Sequence, residues 1–171
     1  VMAHNRMRKG LDPIESSDNL SHAANFLYML QGEEPSEDTA RLMDIDFVVH
    51  ADHGCNASAF TTRVVTGTKA DFYGSITAGI AALSGPSHGG AAEGVMELVK
   101  DVGTADNAEN HVKNLLASRE RVMGFGHRVY KAADPRAKHL KEGVKNLSKE
   151  KGETERYDIL LPVQAAMTPY D

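Results

Sequence analysis

The chain has 171 residues, 41% of them hydrophobic and 6% aromatic, which suits one compact domain or somewhat more. Its formal net charge of −5 argues against a general binder of nucleic acids or membrane surfaces. The single cysteine, Cys55, excludes an internal disulfide and favours a reducing compartment, and no run of roughly 18 apolar residues predicts a membrane span.

Helical spacing dominates the chain after residues 1–19, whose Gly and Pro residues favour a loop. The first amphipathic stripe places apolar residues at 20, 23, 24, 27 and 30. Ser36, followed by acidic residues, predicts an N-cap for the next helix. The predicted helices span about 20–30, 36–50, 57–65, 71–85, 91–102, 108–117, 135–149 and 156–167.

The segment DFYGSITAGIAALSG, residues 71–85, is nearly all small or apolar. Few charges interrupt it, and its small residues permit close contact between helices, so we predict a buried helix there. No alternating strand pattern and no internal repeat is visible in the sequence. We therefore predict an all-α fold whose polar chemistry lies at the turns between helices.

Three of the eight histidines, His53, His88 and His127, fall at glycine-rich breaks between predicted helices. A loop histidine can present its ring to a cavity and exchange a proton near neutrality, and neighbouring glycines let backbone N–H groups approach a ligand. Residues 121–139 also hold five Lys or Arg side chains and one Asp, which predicts a local anion site. Within them, the planar fork of Arg136 matches a carboxylate, and Asp134 can cap the following helix.

Each of these features also has a simpler interpretation. His88 alone can be a turn histidine with a satisfied hydrogen bond, and the basic run around Arg128 and Lys131 can be a solvated face. His50 and His53 lie close to Cys55 in sequence, but their spacing is not the i, i+4 of a helical metal pair. We therefore predict no metal site.

Four ordered blocks resemble the citrate synthase family: SHAANFLYML, HADHGCNASAFTTRV, GPSHGGAAEGVMELV and MGFGHRVYKAADPRA. One block alone would be weak evidence, whereas four in this order, on helical connections, are highly specific. The resemblance covers residues 10–150 and implies part of an all-α protein with a large and a small domain. We assign residues 1–93 to part of the large domain and residues 94–171 to part of the small domain.

The resemblance implies a transferase of the tricarboxylic acid cycle that condenses acetyl-CoA with oxaloacetate and water to give citrate and CoA. It implies that His88 stabilises the enol or enolate of the acetyl group and that His127 polarises the oxaloacetate carbonyl and protonates the alkoxide. His53 and Arg136 would hold oxaloacetate, and Lys131 would meet the CoA phosphates. The adenine of CoA would lie on a backbone loop formed by Val122, Met123, Gly124, Phe125 and Gly126.

The resemblance further implies a cytoplasmic homodimer of bacterial or archaeal type, with CoA as substrate and product and no tightly bound cofactor. The family also uses an aspartate base, which we do not assign in this chain, so we expect residues 1–171 alone to be inactive. Two alternatives stay open: a 2-methylcitrate synthase that uses propionyl-CoA, and a non-catalytic anion-binding module. The two thioesters differ by one methylene, which a pocket distinguishes by only about 1–3 kcal/mol.

Overall fold

The computed structural model describes residues 1–127, 129–130 and 132–170, and all regular secondary structure in these ranges is helical. This confirms the predicted all-α class. A short 3₁₀ turn, Ala105–Asn107, ends directly before Ala108. The α-helices are α1 Met2–Arg8, α2 His22–Gln31, α3 Glu37–His50, α4 Ala57–Gly67, α5 Phe72–Leu83, α6 Gly90–Val102, α7 Ala108–Ala117, α8 Ala137–Lys151 and α9 Glu155–Met167.

Four of these helices begin with the same local device, a polar N-cap side chain that accepts a backbone N–H three residues later. The predicted cap Ser36 accepts from Thr39 at 3.3 Å. Such a cap typically stabilises a helix by about 1 kcal/mol, because it satisfies an N–H that the helix itself leaves without a partner. The capping residues of α2, α3, α4 and α5 are Ser21, Ser36, Asn56 and Asp71.

The prediction of a loop over residues 1–19 is wrong for Met2–Arg8, which is helical. Arg6 is only 9% exposed, and its Nε donates to the carbonyl oxygen of Asp12 at 2.6 Å. Its Nη1 lies 3.5 Å from the carbonyl oxygen of Leu30 near the end of α2. Burial of one arginine against distant carbonyl groups fixes α1, and this interaction leaves no periodic signal in so short a segment.

The chain forms two compact units, the first made of residues 1–52 and 134–151 and the second of residues 53–133 and 152–171. In the first unit, the ring of Phe47 on α3 meets that of Phe26 on α2 edge-on, with centroids 5.2 Å apart. Helix α8 packs on α3 at Gly143, where an added Cβ would lie 2.5 Å from the Leu42 side chain. A larger residue at 143 would require the end of the Leu42 side chain to move.

The second unit has an aliphatic core contributed mainly by α6, α7 and α9. Val102, Val112 and Val163 are the largest side chains that are fully buried, and Val122 in the following loop joins the same core. The core thus anchors the segment that carries His127.

The assignment of residues 1–93 and 94–171 to two domains of a larger protein stays a prediction, because the two compact units are defined within this chain alone.

Helix α5 differs from its predicted burial. Its small residues Ser75 and Gly79 are buried, and Gly79 lies against Thr62 and Ser58 of α4. The small residues therefore do allow close packing, but on one face only. The larger apolar side chains lie on the exposed side, where Phe72 is 73% and Ile80 is 60% exposed.

No helix in the described ranges combines the length and apolarity that crossing a membrane requires.

Candidate active site

Two of the three predicted loop histidines come together in the second unit. The rings of His53 and His127 meet edge-on with centroids 5.3 Å apart. Tyr130 completes the group, because its ring stacks on His127 at 4.6 Å with an interplanar angle of 27°. We call these three side chains the ring cluster. The ring cluster joins the α3–α4 connection to the turn after residue 126.

The turn that follows His127 fixes the proton of its imidazole. The backbone N–H groups of Val129 and Tyr130 both donate to Nδ1 of His127, at 3.1 and 3.3 Å. A ring nitrogen that accepts hydrogen bonds carries no proton, so the proton of the neutral ring lies on Nε2. His127 is also exposed. It can therefore present an N–H donor to a ligand.

The loop that precedes His127 has two residues in the left-handed region, Gly124 with φ +96° and Gly126 with φ +73°. Val122 is buried, and Phe125 packs on the aliphatic core, so the loop is held at both of these points. Met123 lies against Gly94 of α6, where an added Cβ would be 3.0 Å from its Cε. Glycine at 124 and 126 allows the backbone on either side of Phe125 to adopt these left-handed conformations without strain.

His88 is held at the start of α6, and it is not part of the ring cluster. Its Nε2 lies 2.8 Å from Oγ of Ser58 on α4. When the hydroxyl donates, the proton of the neutral ring lies on Nδ1. The backbone N–H of His88 donates to the carbonyl oxygen of Gly85 at 3.0 Å, which closes the turn predicted by GPSHGG. The ring is half-buried.

Arg136 belongs to the first unit and lies just before α8, which begins at Ala137. Its Nη2 donates to the Asp134 carboxylate at 2.6 Å, and its Nε lies 3.0 Å from the same group. Asp134 also accepts the backbone N–H of Arg136 at 2.9 Å. The predicted helix start at 135 is therefore two residues early, and Asp134 both closes the turn and orients the guanidinium.

The sequence did not indicate Tyr130 or Ser58 as members of the site. Ser58 lies 30 residues from His88 in the chain, so only the fold brings the two together. Tyr130 lies three residues after His127 in an irregular turn, where no periodicity predicts which rings will stack. The predicted phosphate contact Lys131 lies outside the described residues.

A metal centre was one alternative for the histidines. Within residues 1–127, 129–130 and 132–170, no group of three or more His, Cys, Asp or Glu side chains is arranged to hold a metal ion. The partners of His53 in the ring cluster are instead a phenol and another imidazole.

Proteins of one family are similar in sequence to this chain. A family model described as "Citrate synthase, C-terminal domain" matches residues 1–171. Citrate synthase 2 of Bacillus subtilis is 48% identical over 98% of this chain and 45% of its own length. A 2-methylcitrate synthase of Mycobacterium tuberculosis is 38% identical over 95% of this chain and 41% of its own.

Solved structures agree with this similarity. The citrate synthase of Thermoplasma acidophilum, in a ternary complex with carboxymethyl coenzyme A and oxaloacetate, matches with a TM-score of 0.89 and 31% identity. The match covers 97% of this chain and 44% of that one. The chain therefore spans less than half the length of these relatives. Since the family model matches the whole chain and relatives exceed 40% identity, the chain belongs to the citrate synthase family.

Proposed function

We propose that the protein is a citrate synthase, which condenses acetyl-CoA with oxaloacetate and water to give citrate and CoA. The observation that carries this proposal is the turn at His127, whose two N–H donors to Nδ1 leave Nε2–H for a substrate oxygen. Membership of the family supports the same reaction. In the Thermoplasma relative, an oxaloacetate and a CoA analogue are bound together.

His127 acts on the oxaloacetate carbonyl in this proposal. A hydrogen bond from Nε2–H draws electron density onto the carbonyl oxygen, which makes the carbon more reactive towards a nucleophile. As the new carbon–carbon bond forms, that oxygen becomes an alkoxide and takes the proton from Nε2. His53 lies beside His127 and would hold the same substrate, and Arg136, oriented by Asp134, would pair with a carboxylate.

His88 acts on the thioester. Loss of a proton from the acetyl methyl group leaves charge that spreads onto the carbonyl oxygen, and a fixed donor at that oxygen stabilises it. With Ser58 donating to Nε2, the Nδ1–H of His88 is such a donor. The two histidines would thus use different ring nitrogens on two different substrate oxygens.

CoA would bind the backbone loop from Val122 to Gly126, with Lys131 near its phosphates. The anchoring of Val122 and Phe125 in the core supports this, because a preformed loop loses little conformational entropy on binding. A separate cavity of about 660 Å³ lies beside the start of α9, but Glu153, Glu155 and Asp158 line it. We do not assign it to either substrate, since both are anions and the lining carries three carboxylates against one cation, Arg156.

Turnover of the intact protein with both substrates, followed by release of the CoA thiol, tests the proposal. His127→Ala should lower kcat by about 10²–10⁴-fold, the usual contribution of a general acid. His4→Ala is the matched control, because His4 is exposed on α1 in the other compact unit and should leave turnover unchanged. Binding of both substrates without turnover by the wild type would favour the non-catalytic module instead.

The second candidate is 2-methylcitrate synthase, which the Mycobacterium tuberculosis relative favours. Comparing kcat/KM for acetyl-CoA and propionyl-CoA distinguishes the two, and a preference for acetyl-CoA is expected. For residues 1–171 alone we expect negligible turnover, because we assign no aspartate base in them. Substantial release of thiol by this chain alone would contradict that expectation.

We also propose a cytoplasmic homodimer. Exposed apolar side chains on α4 and α5 support self-association, because they form a surface that is costly to leave in water. Ile80→Glu should dissociate the dimer in analytical ultracentrifugation, and a dimer that persists would exclude α5 from the interface. The exposed large apolar residues of the two helices are Phe60, Val64, Phe72, Tyr73, Ile76, Ile80 and Leu83.

A further inference from the structure

Tyr130 contacts both histidines of the ring cluster, each through a different part of the residue. Its ring stacks on His127, and its backbone N–H donates to Nδ1 of that residue at 3.3 Å. Its hydroxyl lies 3.4 Å from Nδ1 of His53, whose ring centroid is 5.6 Å from that of Tyr130. No other described residue has ring contacts with both His53 and His127.

These contacts bear on where each imidazole carries its proton. A backbone N–H can only donate, so Tyr130 and Val129 leave Nδ1 of His127 as an acceptor. A phenol hydroxyl can donate to Nδ1 of His53 in the same way, which leaves the proton of that ring on Nε2. Tyr130 then contributes to the same tautomer in both rings, through its backbone N–H at His127 and its hydroxyl at His53, and both rings present Nε2–H to a ligand.

We propose that Tyr130 is a positioning residue that orients His53 and His127 and holds both in the Nε2–H form for an anionic keto acid. This inference rests on the proposed function for its substrate, oxaloacetate. An anion with a ketone and a carboxylate needs two hydrogen-bond donors at a fixed separation. Stacking on His127 and the hydroxyl contact to His53 together fix that separation, because both originate from one rigid side chain.

The test uses the intact protein with ¹⁵N-labelled histidine and three variants. Tyr130→Phe keeps the stacked ring and removes only the hydroxyl, so Nδ1 of His53 should lose its donor while His127 keeps the Nε2–H tautomer. Tyr130→Leu also removes the stacked ring and should disturb the signals of both histidines. Tyr157→Phe, on α9 in the same unit, is the matched control and should leave both rings unchanged.

Kinetics provide the second readout. Tyr130→Phe should raise the KM for oxaloacetate by roughly three- to ten-fold, as expected for one neutral hydrogen bond. Its KM for acetyl-CoA should stay the same, a separation that a general loss of folding would not produce. Circular dichroism of each variant checks that the helices are intact.

The two readouts separate failure of this inference from failure of the proposed function. A wild type without turnover would overturn the proposed function, and the ¹⁵N spectra would still decide the role of Tyr130. Unchanged His53 signals in Tyr130→Phe would overturn the positioning role, whatever the turnover. An active enzyme with an unchanged KM for oxaloacetate in Tyr130→Phe would overturn it as well.

Discussion

Gly89, the residue after His88, supports a specific prediction about stability. It lies where α5 has just ended and α6 begins, with φ −63° and ψ −28°. A Cβ added at this position would lie 2.5 Å from the carbonyl oxygen of Leu83 and 2.7 Å from its Cδ1. A carbonyl oxygen in the backbone cannot rotate away as a flexible side chain can. Gly89→Ala must therefore move the end of α5 away from the start of α6.

The change in the free energy of unfolding in Gly89→Ala follows from two opposing effects. Overpacking of a well-packed contact typically costs about 1–3 kcal/mol. The φ and ψ of Gly89 are ordinary for alanine, so the substitution also restricts the unfolded chain and returns about 0.4–1 kcal/mol. We therefore expect Gly89→Ala to lower the free energy of unfolding by about 1–2 kcal/mol. It should lower turnover as well, because His88 would shift with the loop.

Gly67 provides the matched control. It ends α4, has an ordinary negative φ, and a Cβ there would meet no atom within 4 Å. Gly67→Ala should be neutral or up to about 1 kcal/mol more stable. Urea unfolding followed by circular dichroism at 222 nm, a wavelength sensitive to helix, measures both variants. If Gly89→Ala unfolds at the same urea concentration as Gly67→Ala, the steric argument for glycine at 89 is wrong.

Three further substitutions test other contacts. Ser58→Ala should lower kcat about ten-fold, because His88 loses the hydrogen bond at Nε2. If the rate of thiol release gives an unchanged kcat, Ser58 does not orient His88 for the reaction. Arg136→Lys should raise the KM for oxaloacetate about ten-fold, since an ammonium cannot bind a carboxylate through a fork, and an unchanged KM would contradict the assignment. The Lys113 ammonium holds the pKa of the Glu109 carboxyl below its ordinary value, through their hydrogen bond and then their charges. The pKa of Glu109 should therefore rise in Lys113→Met, which NMR titration measures. Any stability from ionisation of Glu109 is fully present above the ordinary pKa of a glutamate. It is lost as the pH falls through the lowered pKa of Glu109.

Helix positions were largely predictable because their signals are local. Ser36 caps α3 as expected, and the segment predicted at 108–117 coincides with α7. Periodicity and capping depend on residues three or four apart, which the sequence displays directly. Helix α1 was missed because its stability comes from Arg6, whose hydrogen-bond acceptors at Asp12 and Leu30 lie outside the helix itself.

The site was predictable in its residue types but not in its contacts. Glycine-rich breaks indicated the three histidines, and family resemblance supplied their expected roles. The meeting of His53 with His127 depends on the packing of segments more than 70 residues apart, and so does the contact of His53 with Tyr130. No local pattern predicts which ring nitrogen accepts a hydrogen bond, because that depends on the turn after His127 and on the position of Ser58.

The amino-acid composition of helix α5 bears on the proposed dimer. Its sequence favours burial because charges are almost absent, yet Phe72 and Ile80 lie mostly in solvent in this chain. Both observations are explained if a second copy covers this face, since the small residues Ser75 and Gly79 already serve the contact with α4. The apolar side chains on the opposite face then supply a surface for the proposed association. If one face of α5 contacts α4 and the other contacts a second copy, Ile80→Glu should abolish the dimer and leave the helix content unchanged.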